Sequence, residues 1–102
     1  MREIDDLPGA WLIKKGLDDL ERGARSAESL AVSAASTRLR HLGFDVPRSA
    51  ETDPQLALYL TLGESGVEDP YGRYNAMLRE LSSFLEAAEG RRRRALQAGE
   101  IP

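Results

Sequence analysis

After Asp69-Pro70, apolar side chains recur at Tyr71, Tyr74, Leu78, Leu81, Leu85 and Ala88, in alternating steps of three and four. An α-helix brings such a series to one side, and Met77 and Phe84 widen it to an ordinary core-facing arc. The Asp can cap free N–H groups of a first turn, and Pro is tolerated at the first helical position. The chain must therefore contain a long amphipathic helix over residues 70–89 or longer. Arg92 would come next in the seam, so packing against a core should stop near Ala88. Either Gly90 ends the helix, or the following Arg/Ala/Leu/Gln run carries it, solvated, toward Gly99.

Such a seam needs partners, and the remaining sequence supplies three more helices. Ala10, Ile13, Leu17, Leu20 and Ala24 recur at helical spacing over residues 8–24. Asp5 and Asp6 suit the start of that helix electrostatically, Pro8 its first turn, and Gly23 its end. Asp18 with Arg22, and Glu21 with Arg25, are i,i+4 pairs in the favourable order. Gly16 weakens the helix interior. Ser26 is a good N-cap for a second helix over 26–42, in which Ala27, Ala31, Ala35 and Leu39 form a ridge of mostly small residues. A neighbour could approach that ridge closely. Ser26, Ser29, Ser33, Ser36 and Arg40 make the opposite, polar stripe. Gly43 and Phe44 fit a Schellman stop on Leu39, and Pro47 prevents the helix from resuming.

Residues 54–62 follow a second Asp-Pro start, at Asp53-Pro54. Leucine at 56, 58, 60 and 62 is also a strand pattern, but one strand would have nothing to pair with here. Helix is therefore expected, apolar on nearly every side and hence buried or at an interface. Gly63 and Gly66 are expected to close it.

The expected fold is all-α, a four-helix bundle-like single domain over residues 1–102, with 91–102 an exposed basic tail. With 102 residues, 41% of them hydrophobic and 30% charged, one core of ordinary size is expected. Residues 1–7 carry one Arg, three acids and no apolar run, so they do not read as a signal peptide. No stretch approaches the roughly 20 apolar residues of a membrane span. A cytoplasmic location is the expectation by default.

Chemistry is hard to find. There is no cysteine, and His41 is the only histidine, so Cys-based and His-pair metal sites are excluded and no cofactor is expected. Neither lysine, Lys14 nor Lys15, follows a phosphate-cradling glycine loop. Gly63-Glu64-Ser65-Gly66 has its second glycine one residue early for a nucleophile elbow. Ser36 stands where the helical-ribonuclease spacing to His41 needs an arginine. A non-enzyme is therefore expected.

Three groups of residues stand out instead. Trp11 projects away from Ile13, Leu17 and Leu20, as an interface anchor would. Leu58, Tyr59 and Leu62 lie on the all-round apolar third helix and join Trp11 as candidate interface residues. Arg38, Arg40 and His41, with Arg91, Arg92, Arg93 and Arg94, could contact an anion or nucleic acid. Against nucleic acid, the net charge is −3 and no aromatic residue lies near the arginine run. The expected function is a non-catalytic helical interaction module, pairing with itself as a homodimer or with another protein. The alternatives are a small regulatory or nucleic-acid-associated protein, and an accessory or antitoxin-like partner of an enzyme.

Overall fold

The computed structural model describes residues 4–100, so the ends of the expected segments 1–7 and 91–102 lie outside the described residues. The chain forms α1 (Ala10–Glu21), α2 (Ala27–Ala34), α3 (Ser36–His41), α4 (Pro54–Glu64) and α5 (Pro70–Gln97), with no strand among the described residues. The fold is all-helical and bundle-like. Helix α2 packs against both α1 and α4, and α5 lies along all three. At 28 residues α5 is about 42 Å long, which accounts for most of the 48 Å extent of the molecule. No helix among the described residues is long and apolar enough to cross a membrane.

The core is built from Leu12 and Ile13 of α1, Leu30, Ala31 and Val32 of α2, Leu39 of α3, Leu58 of α4 and Phe84 of α5. Each fully buried Leu, Ile, Val or Phe stabilises the fold by about 1.5–3 kcal/mol relative to exposure. The α5 seam is buried at Met77, Leu81, Phe84, Leu85 and Ala88, as its spacing predicts. Tyr71 departs from that expectation and stays 64% exposed.

Local signals work well at four termini. Asp53 and Asp69 accept hydrogen bonds from the backbone N–H groups of Leu56 and Gly72, so both Asp-Pro starts are real caps. Ser26 caps α2 in a reciprocal box with Ser29. At the end of α3 the Phe44 N–H reaches the Leu39 carbonyl and the Gly43 N–H reaches that of Arg40, with Gly43 at φ +96°. That is the Schellman pattern, and Phe44 then rests its ring on Phe84 at 5.9 Å between centroids.

Elsewhere tertiary packing overrides the local reading. The expected second helix is two, because the last turn of α2 tightens and the Ala35 N–H bonds Val32 instead of Ala31. Serine-flanked alanines at 33–36 carry no glycine or proline to mark such a bend. Helix α1 is shorter than the expected 8–24, starting after Gly9 in the left-handed region. A Cβ at Gly9 would meet the Glu80 carbonyl of α5, so this entry is set by the neighbouring helix. Asp5 and Asp6 do not serve the α1 terminus, but pair with Lys14 and Arg91, each at 2.6 Å. Asp18 pairs with Arg22 as spaced, whereas Arg25 leaves Glu21 for Glu51 at 2.7 Å. Gly63 does not end α4, and Gly90 is buried inside α5, which runs on to Gln97.

Two residues hold α1 against α2. A Cβ at Gly16 would collide with Val32 and with the Glu28 carbonyl, so the missing side chain lets α2 come close to α1 here. Three residues on, the Asp19 carboxylate is buried among the Lys15 ammonium at 2.7 Å, the Arg22 guanidinium at 2.6 Å and the Ser26 hydroxyl at 2.6 Å. These partners, Lys15 foremost, hold its pKa down at about 2. The residue that caps α2 is thus itself tied to α1.

Candidate functional site

Helix α4 has two unlike sides. Ala57, Leu58 and Leu62 face inward and are buried by the chain's own helices. Leu58 and Leu62 are thus core residues, which removes them from the expected interface. The opposite side presents Leu56, Tyr59 and Leu60 at 52%, 42% and 52% exposure. With Gly63, these fall at i, i+3, i+4 and i+7, which is a continuous stripe along one face. No residue from Pro54 to Gly63 is charged, and nothing lies within 4 Å of where a Gly63 side chain would start. Tyr59 is the one stripe residue tied down, edge-on against Tyr74 of α5 at 5.3 Å, while the Tyr74 hydroxyl accepts a hydrogen bond from Gln55. Tyr71, one turn before Tyr74 on α5, is also exposed. The sequence marked α4 as too apolar to be covered all round. Which leucines point outward depended on where α2 and α5 pack.

No protein-family model, curated protein or solved structure matches the chain at a significant level.

Trp11 stands apart from this stripe. It is 54% exposed, and its indole N–H donates to Glu80 of α5 at 3.3 Å. Glu80 and Tyr74 are six residues apart, which on a helix is about 9 Å along the axis and about 120° around it. Trp11 and Tyr59 therefore flank α5 on different sides, and the fold does not join them in one patch.

The basic candidates divide in the same way. Arg38 grips Glu89 with two bonds, at 2.6 and 2.9 Å. The pairing raises the Arg38 pKa and lowers that of Glu89. Arg40 donates to the Val46 carbonyl at 2.9 Å, which holds the loop after α3. Arg91 pairs with Asp6, lowering the Asp6 pKa. Arg94 lies exposed beside Gly90. His41, Arg92 and Arg93 meet around a cleft of about 260 Å³ between α3 and α5, together with Arg38, Glu89, Leu42 and Leu96. The fold thus joins two basic groups some fifty positions apart in sequence. No group of three or more His, Asp or Glu among the described residues is placed to hold a metal. Among the described residues, no side chain hydrogen-bonds His41.

Proposed function

We propose that this protein is a non-catalytic helical interaction module that pairs with a second copy of itself through the outer face of α4. The observation that carries the reading is the stripe of three large apolar side chains, each about half exposed, on a helix whose other side is in the core. A contiguous apolar face of this kind is uncommon on a monomer unless something covers it. A second copy fits better than an unlike partner because the stripe is uncharged from Pro54 to Gly63. In a two-fold pairing the same patch meets itself, so any charge would face its own kind. An uncharged stripe avoids that repulsion, and the open surface at Gly63 gives an opposing leucine or tyrosine room to seat.

Sedimentation velocity over a concentration series tests this. The wild type is expected to move from monomer to dimer as concentration rises through the micromolar range. Leu60→Glu should weaken association by about thirtyfold or more, the loss of an anchor worth about 2 kcal/mol, while the circular dichroism stays helical. Trp11→Ala should leave association unchanged, since Trp11 lies outside the stripe. A wild type that stays monomeric at high micromolar concentration contradicts self-pairing.

A further inference from the structure

We propose that the cleft between α3 and α5 is a second docking site, independent of the α4 stripe, for an acidic, leucine-bearing segment of another protein. Charge and shape make the case together. Arg38, Arg92 and Arg93 contribute three positive charges and Glu89 one negative, so the cleft is net +2 with His41 neutral, on a chain of net −3. The two hydrogen bonds that Arg38 donates to Glu89 occupy its guanidinium, so it lines one side of the cleft. Arg92 and Arg93 are exposed and form no salt bridge within 4 Å among the described residues; Arg93 acts on Glu89 only through space, and both guanidinium groups can reach an incoming carboxylate.

Between the cations the surface is apolar. Leu42 is buried at the end of α3, and Leu96 is 43% exposed one turn beyond Arg92. A volume of about 260 Å³ falls below the usual range for a small-molecule pocket, and suits one partner side chain better than a cofactor. A leucine flanked by carboxylates matches both the apolar patch and the arginines. Nucleic acid matches less well, because no Phe, Tyr or Trp lines the cleft to stack on a base. Guanidinium–carboxylate pairs at such an exposed edge are individually weak and screened by salt, so much of the specificity should come from the leucine.

The test is fluorescence anisotropy of a short, labelled, capped peptide with glutamates on either side of one leucine, titrated with the full chain. Binding in low salt should weaken in high salt. It should fall by at least about tenfold in the Arg92→Glu, Arg93→Glu double variant, with circular dichroism confirming the fold. Leu96→Ser should weaken this peptide but not one carrying serine in place of leucine. Leu60→Glu should leave peptide binding unchanged, which separates this site from the α4 stripe. The proposal is overturned if charge reversal does not change peptide affinity, or if the serine peptide binds as well as the leucine peptide. It is also overturned if single-stranded oligothymidylate or phosphatidylserine vesicles bind the same arginines more tightly than the peptide does.

Discussion

Gly16 and Gly63 both sit inside helices, yet they do opposite things. At Gly16 the missing side chain is filled by α2, whose Val32 and Glu28 carbonyl stand where a Cβ would go. At Gly63 nothing comes within reach. The surroundings differ in the same sense. Near Gly16 the buried carboxylate of Asp19 ties α1 to α2 through Lys15, Arg22 and Ser26. Before Gly63 the outer face of the helix is apolar, with Leu56 and Leu60 half exposed and no charge until Glu64 at the end of α4. One region has completed its contacts within the chain, and the other leaves an apolar face exposed. Glycine in a helix costs stability wherever it stands, so its use must be sought in what lies beside it.

The same substitution should therefore have opposite signs at the two sites. Gly16→Ala gains helix propensity but overpacks against a backbone carbonyl that cannot move freely. A net loss of about 1–3 kcal/mol is expected. At about 4–8 °C per kcal/mol for a domain of this size, thermal melting will show it plainly.

The buried carboxylate of Asp19 makes the α1–α2 contact sensitive to pH. Its partners depress its pKa in the folded state from 3.8 to about 2, so the carboxylate binds its proton less readily folded than unfolded. The stability this supplies is fully present above pH 4 and is lost as pH falls toward 2. Asp19→Asn should lower the denaturant midpoint at neutral pH and flatten its fall across that acid window. An unchanged acid profile would show that the carboxylate does not hold the two helices together.

The smallest expected effect is at Gly63, where Gly63→Ala should stabilise the monomer by about 0.5–1 kcal/mol in dilute solution. A destabilised Gly63→Ala would mean that this face is already covered within the chain, as it is at Gly16.

The helices were legible where local chemistry sets them. Both Asp-Pro caps, the Ser26 box and the Schellman end at Gly43 act within a few residues, so local sequence is sufficient to find them. Features that depend on a second element were not legible. Asp18 and Asp19 are neighbours in sequence and both pair with Arg22, but Asp19 alone is buried, where it also meets Lys15 and the Ser26 hydroxyl. The cleft residues His41 and Arg92 were each visible as candidates, but their meeting depends on α5 continuing past Gly90. The α4 leucines show the same limit. Alternation along the sequence could not tell Leu58, fully buried, from Leu60 two residues on.

Cross-linking tests the open α4 face most directly, because the chain has no cysteine of its own. Gly63→Cys places one thiol on the stripe, and Arg79→Cys places one on an exposed position of α5 as a control. Under mild oxidation at micromolar concentration, Gly63→Cys should form a disulfide-linked dimer rapidly, and addition of Leu60→Glu should abolish that advantage. Arg79→Cys should cross-link only slowly. Equal rates for the two single variants, unaffected by Leu60→Glu, would contradict pairing through the α4 face.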